Sequence, residues 1–318
     1  MKKNRGVVLI TGGLGYLGGR IVKHLLSLGF RVRIASSRSP PSVPSELSEC
    51  EVFSYNLAEE NTLSKVCKDV SSIIHLASLN AQQCNHDPKA ALLVNSLGTL
   101  KLLNAAKENG VKKFIYMSTA HVYGSPLCGE IDETMPTYPA HHYSITHKVS
   151  EDYVLLKDSD DCMERIVFRL TNGVGSPVTS DANCWMLVVN DLCKQVAMNS
   201  EIKLRSDGSL QRDFIPISLI CSVVHSAIES NAFDREIVNI SSGKSLTLHE
   251  LAKLIAYRSS LVLGIEPSIK FNSSLTKEVT NPLIISNNKL SSTFPHKIDT
   301  NLSDEIDKLL LNCRQWFQ

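Results

Sequence analysis

The chain has 318 residues, 43% hydrophobic and 20% charged, with a net charge of +1. That length suits one large or two modest domains, and so balanced a charge gives no electrostatic case for nucleic acid or a membrane surface as partner. No run approaches the ~18 apolar residues of a membrane span, and the basic Lys2, Lys3 and Arg5 lead into an apolar stretch cut short by glycines, unlike a secretory leader. The nine cysteines have no Cys-x-x-Cys pair and the ten histidines lack ligand spacing, which points to reduced thiols in a cytosol and to no metal site.

Val7-Val8-Leu9-Ile10 reads as a buried strand over 6–11. Three glycines follow at once, Gly12, Gly15 and Gly18, and then a helix over 15–28 with Ile21, Val22, Leu25 and Leu26 on one face. Gly29 stops that helix. Strands are expected at 31–35, 51–54, 71–76, 112–118 and 164–169. Helices are expected at 59–69, 88–109, 141–157 and 183–199, with mixed pieces from 245 onward. Strands alternating with helices give right-handed crossovers and a parallel sheet. The fold class is therefore α/β: a Rossmann-type doubly wound parallel sheet of seven strands with a smaller C-terminal substrate lobe. The dinucleotide-binding domain is placed at 1–175, completed by about 212–242; the lobe takes 176–211 and 243–318.

A strand, a glycine turn and a helix N-terminus make a phosphate cradle, because backbone can approach closely and the N–H groups point outward. In that reading Gly12 makes the turn, Gly15 seats the pyrophosphate, and Gly18 packs helix on strand. A tight turn with no ligand is the plainer alternative.

Thr11-Gly12-Gly13-Leu14-Gly15-Tyr16-Leu17-Gly18 resembles the Thr-Gly-x-x-Gly-x-x-Gly of the extended short-chain dehydrogenase/reductase family, the nucleotide-sugar epimerase/dehydratase type. The strand end at Ser118-Thr119 and the Tyr143-x-x-x-His147 segment are similar to that family's catalytic positions, although the family has lysine where His147 stands. At ~100° per residue His147 lies ~40° from Tyr143 around the helix and Lys148 ~140° away, so His147 falls in the lysine place unless the helix slips to bring Lys148 in. The resemblance implies that Tyr143 is the acid/base, Thr119 holds the reacting oxygen, and Tyr143 and His147 touch the cofactor. It extends to His75-Leu76-Ala77, to Asn95, Gly98 and Thr99 at the opening of a helix, and to Arg169 through Pro177. It also takes in Arg212-Asp213-Phe214-Ile215 and fades after about 255.

The resemblance also assigns binding residues. Gly12, Gly15, Tyr16, Leu17, Gly18, Leu76 and Ala77 would line the dinucleotide, with Asn56 and Leu57 near adenine. Thr119, Ala120, His121, Asn172 and Arg212 would face the substrate, Arg212 on a diphosphate unless it merely pairs with Asp213. NAD-preferring members end the second strand in Asp; here stand Ser36, Ser37 and Arg38, which favours NADP(H) over NAD(H).

The function implied is NADP-dependent hydride transfer at a carbon of a nucleotide-activated sugar, read as 4-ketoreduction. A 4-epimerase with tightly bound NAD is the alternative. A non-catalytic dinucleotide sensor and a reductase for a small ketone stay open. A 4,6-dehydratase is disfavoured because Ala120-His121 follows Thr119 where that reaction needs Asp-Glu. In the family the helices here at 88–109 and 141–157 pair across a two-fold axis, so a homodimer is expected.

Overall fold

The computed structural model describes residues 6–37, 43–55, 60–157, 162–230, 233, 235–272, 282–294 and 298–318. The chain divides into two compact units. The first comprises Met1–Leu127, Glu133–Leu170 and Cys221–Asn239; the second comprises Cys128–Asp132, Thr171–Ile220 and Ile240–Gln318.

The first unit is built on seven strands: β1 (Val7–Thr11), β2 (Val32–Ser36), β3 (Glu51–Ser54), β4 (Val70–His75), β5 (Lys113–Thr119), β6 (Glu164–Leu170) and β7 (Glu236–Ile240). Their order is β7-β6-β5-β4-β1-β2-β3. Every pairing from β3 across to β6 is parallel. This is the Rossmann-type arrangement expected from the alternation of elements. β1 and β2 are buried along their whole length, and Val7–Ile10 of β1 accordingly reads as an unbroken apolar run rather than an alternating one. Leu9, Ile73, Phe114, Val167, Leu102 and Leu103 share one core.

The order of strands reverses beside β1, and its C-terminal end leads into the Tyr16–Ser27 helix. Ligands of open α/β sheets bind at such a point. The helix expected at 88–109 is present with a departure: Pro88–Ala91 and Gly98–Glu108 are α-helical, and Leu92–Leu97 between them is a π turn. Asn95 sits inside this wide turn rather than opening a helix. The widened turn buries Asn95 and Ser96 and leaves Leu92, Leu93 and Leu97 exposed, the kind of local distortion that tends to mark a functional region.

The second unit has its own core. Val189, Leu192 and Val196 of the Val188–Asn199 helix meet Leu251 and Ile255 of Leu248–Leu263 and Leu309 and Leu310 of Ser303–Phe317. Short strands complete it, Asn172–Val174 parallel to Phe214–Pro216 and Gln211–Arg212 antiparallel to Leu246–Thr247. The helix expected from 183 begins only at Val188. Residues 183–187 turn instead, held by Trp185 Nε1 donating to the Ser180 carbonyl at 2.8 Å and the Leu187 N–H donating to the Cys184 carbonyl. Among the described residues no helix is long and apolar enough to cross a membrane.

Candidate active site

The glycine turn follows β1 directly. Gly12 has φ +71, a left-handed conformation in which a side chain would be strained, and its N–H donates to the Ala35 carbonyl at the end of β2. A Cβ on Gly15 would come within 3.1 Å of the Gly12 carbonyl oxygen, and one on Gly18 within 2.1 Å. The helix therefore enters against the turn itself, closer than any side chain allows. Its N-cap is Gly15, no side chain caps it, and its first turn has no acidic residue, so its positive end is left for an anion. Gly18→Ala should push helix and turn apart at a cost of ~1–3 kcal/mol and weaken dinucleotide binding in fluorescence titration. Unchanged affinity would contradict this account of the turn.

Ser36 closes β2 one residue beyond Ala35, with Ser37 next. Arg38, Asn56 and Leu57 lie outside the described residues. Leu76 and Ala77 follow β4; the Leu76 N–H donates to the Thr11 carbonyl and the Ala77 N–H to Thr11 Oγ1 at 3.2 Å. Thr11, Ala35, Tyr55, Ala77 and Val94 line a small apolar pocket beside them.

β5 ends at Thr119, whose Oγ1 accepts from the His121 N–H at 3.2 Å and caps the short turn Ala120–Tyr123. Thr119 also stands beside the hydroxyl of Tyr143, near enough to draw its pKa down against the effect of burial. Tyr143 lies in the first turn of the His142–Leu155 helix, which His141 caps by accepting from the Ser144 N–H at 3.2 Å. The rings of His141 and Tyr143 stack at 6.1 Å, and His121 meets His141 edge-on at 5.5 Å. Burial pushes the Tyr143 hydroxyl up to about 12.

The helix register puts His147, not Lys148, against Tyr143. The two rings are 4.4 Å apart, edge to face, whereas the Lys148 ammonium pairs with Asp152 one turn on. His147 is 2% exposed. Its Nδ1 is 2.7 Å from the Tyr116 hydroxyl, and its buried Nε2 has no hydrogen-bond partner. Burial, with His75 and His141 nearby, pulls its pKa down to about 3. His75 behaves alike: burial takes it to about 3, with Thr11 Oγ1 2.6 Å from Nδ1 and Thr99 Oγ1 2.9 Å from Nε2.

In the second unit Asn172 Nδ2 donates to the Asp213 carbonyl at 2.8 Å. The Asp213 carboxylate accepts from Thr171 Oγ1, the Ser242 N–H and Ser242 Oγ, so Asp213 serves the local fold and is not the partner of Arg212. No ion pair among the described residues involves the half-buried Arg212, and burial lowers its pKa.

The model of the NAD dependent epimerase/dehydratase family matches residues 8–241. The chain belongs to this family. It is an enzyme of the extended short-chain dehydrogenase/reductase type. It is 27% identical over 293 residues to UDP-glucose 4-epimerase 4 of Oryza sativa subsp. japonica, covering 81% of this chain and 79% of that protein. It is 26% identical to GDP-6-deoxy-D-talose 4-dehydrogenase of Aggregatibacter actinomycetemcomitans over 78% of each. Among solved structures, UDP-glucose 4-epimerase of Thermotoga maritima with UDP-glucose superposes with a TM-score of 0.82 at 22% identity, covering 98% of this chain and 100% of that one.

The turn fits the dinucleotide of such an epimerase/dehydratase-family enzyme: where a Cβ on Gly15 or Gly18 would sit, there is only backbone. When bound, the nicotinamide supplies a hydride acceptor and donor. Sequence reasoning gave no contact to four side chains in this site, Tyr116, Ser118, Glu151 and Asn95, and noted Glu151 only as a residue of the family's helix pattern. Tyr116 and Ser118 alternate on one face of β5 and meet His147 and Glu151. Glu151 carries a buried ion pair with Arg169 at 2.7 Å. Asn95, noticed only as a motif residue, holds the Leu79 N–H through Oδ1 and donates to Thr146 Oγ1 through Nδ2, tying the π turn to the helix that carries Tyr143. Polar residues at alternate positions of a strand this apolar are the signal that marked the first two.

Proposed function

We propose that the chain is a nucleotide-sugar 4-epimerase in which Tyr143 and Thr119 act at the C4 oxygen. The observation that carries this is Thr119 at the end of β5 standing beside the Tyr143 hydroxyl, near enough to draw its pKa down, in a family enzyme whose relatives include a UDP-glucose 4-epimerase. Tyr143 exchanges the proton of the C4 oxygen, and Thr119, with its oxygen already accepting from the His121 N–H, donates its own proton to steady that oxygen. Gly12, Gly15, Tyr16, Leu17 and Gly18 hold the pyrophosphate, Leu76 and Ala77 the neighbouring backbone path, and His147 a ribose hydroxyl. Ala120, His121 and Asn172 face the sugar. Arg212, uncommitted to any carboxylate among the described residues, takes the substrate diphosphate through its fork of donors.

A second reading, 4-ketoreduction with NADPH, is favoured by Tyr143 being held protonated and by Ser36 standing where a carboxylate would repel a 2′-phosphate. The 4-dehydrogenase relative is in keeping with it. One experiment separates the two. UDP-glucose with a trace of dinucleotide is converted to UDP-galactose by an epimerase with no net cofactor consumption. A reductase leaves it untouched and consumes NADPH mole for mole on a 4-keto sugar nucleotide.

On the ketoreductase reading NADP(H) is expected to bind more tightly than NAD(H), whereas the epimerase reading goes with tightly bound NAD. Arg38→Ala should weaken NADPH by ~1.5–3 kcal/mol, the scale of a charge-assisted hydrogen bond, and leave NADH nearly unchanged. Tighter NADH binding to the wild type would sink this expectation.

We also propose a homodimer. Leu92, Leu93 and Leu97 on the π turn, with Ile145, Tyr153 and Leu156 on and just after the catalytic helix, are all exposed, an apolar surface of the sort that marks an interface. Leu102, Leu103 and Val154 are not part of it, because they are buried in the unit's own core. Light scattering should give twice the chain mass; a monomer at micromolar concentration would refute the dimer.

A further inference from the structure

A helix N-cap is ordinarily Ser, Thr, Asp or Asn, whose oxygen accepts a first-turn N–H. The helix that carries Tyr143 is capped instead by an imidazole. His141 Nδ1 accepts from the Ser144 N–H at 3.2 Å. Ser144 Oγ completes the box by accepting from the His141 N–H at 3.3 Å and donating to the His141 carbonyl at 2.9 Å. A peptide N–H has a fixed direction, and turning the ring over would set a C–H against it. Nδ1 is therefore bare, and the neutral ring carries its proton on Nε2. The same ring stacks on Tyr143 at 6.1 Å, within the same turn. A proton added to Nδ1 would leave two donors facing each other, the ring nitrogen and the Ser144 N–H. The cap would be lost, and the ring would have to swing off the face of Tyr143. An Asn in this place would hold the turn without that sensitivity.

We propose that His141 is a positioning residue that holds the first turn of this helix, and with it Tyr143, only while its ring is neutral, so that acid releases Tyr143 from its place beside Thr119. This rests on the reading of Tyr143 as the acid/base and adds an acid limit to it. The titratable groups facing the ring are His121 from the turn after β5, edge-on at 5.5 Å, and His142, Tyr143 and His147 from the helix itself. Burial, and then the neighbouring His142, pull the His141 pKa below its ordinary 6.5. A base so lowered stays neutral in the fold at neutral pH. The stability that the cap contributes is therefore complete above 6.5 and is lost as pH falls through the lowered value.

Two measurements on the full-length protein, over about pH 4.5 to 7.5, test this. Amide hydrogen exchange reads the turn directly and needs no turnover. The wild-type Ser144 N–H should be protected at the upper end of the range and lose roughly fivefold of its protection factor, the worth of an N-cap, as His141 protonates. His141→Asn, which caps without titrating, should keep that protection level across the range. His141→Ala should be weakly protected throughout. The kcat for a nucleotide sugar should follow the same three patterns, falling with acid in the wild type, restored and level in His141→Asn, and low at every pH in His141→Ala. Protection that stays constant in the wild type, or that falls equally in His141→Asn, overturns the proposal. So does a His141→Asn variant no more active than His141→Ala, because the ring itself and not the cap would then be what turnover needs. Exchange that follows the three patterns in a protein that transforms no sugar nucleotide would count against the functional reading alone.

Discussion

Tyr143→Phe is expected to lower turnover of a nucleotide sugar by ~10²–10⁴-fold, the usual worth of a positioned acid/base, while dinucleotide affinity stays nearly unchanged. The pH dependence follows from the same hydroxyl. Burial pushes it up to about 12, so it is protonated at neutral pH and its ionised fraction grows about tenfold per pH unit below that value. Oxidation of a sugar alcohol uses the ionised form and should accelerate as pH rises; reduction of a ketone uses the protonated form and should stay level over the same range. His147, pulled down to about 3, is neutral throughout and contributes no step between pH 5 and 9. His147→Lys would put a cation beside Tyr143, stabilise the ionised form, and move the oxidative rise down by ~1–3 pH units. Initial rates of both directions from pH 6 to 10 check this. A level oxidative profile in the wild type, or a rise that His147→Lys leaves in place, would contradict the role given to these two residues.

The largest effect on stability is expected at Glu151. Its carboxylate accepts from Arg169 Nε at 3.0 Å and Nη2 at 2.7 Å and from Ser118 Oγ at 2.6 Å, and the two charged side chains are 1% and 3% exposed. Arg169 in turn lies 4.6 Å over the Tyr123 ring. Glu151→Gln leaves that guanidinium buried without its countercharge and should cost ~3–5 kcal/mol. Replacing both partners, Glu151→Leu with Arg169→Met, should recover most of the loss, because two desolvated charges are removed together. Denaturant unfolding of the single and double variants measures the coupling. A single variant as stable as the wild type would show that the pair is not the anchor joining the catalytic helix to β5 and β6.

Much of this site is legible in the chain because its parts are local. The glycine turn, the apolar run of β1, and the placement of His147 rather than Lys148 beside Tyr143 follow from spacings within a few residues. What spacing could not supply are contacts between hydroxyls and rings far apart in sequence. Tyr116 is 31 residues from His147, and nothing in either segment names the other. The π turn escaped because one widened turn leaves the apolar pattern of 88–109 almost intact. The start of the Val188–Asn199 helix was placed early because Cys184 and Trp185 continue its apolar face while their backbone turns. The Leu248–Leu263 helix carried a readable sign, the Thr247–Glu250 capping box, inside a stretch taken as mixed pieces. The cysteines offered no such help, since all nine are unbridged.

The most direct measurement follows the hydrogen on C4 of the sugar. UDP-glucose carrying deuterium at C4 should be converted, in ordinary water, to UDP-galactose that keeps the deuterium at C4, because the hydrogen leaves and returns as a hydride without meeting solvent. Loss of the deuterium to water would mean that the hydrogen departs as a proton, and would contradict hydride transfer at this site.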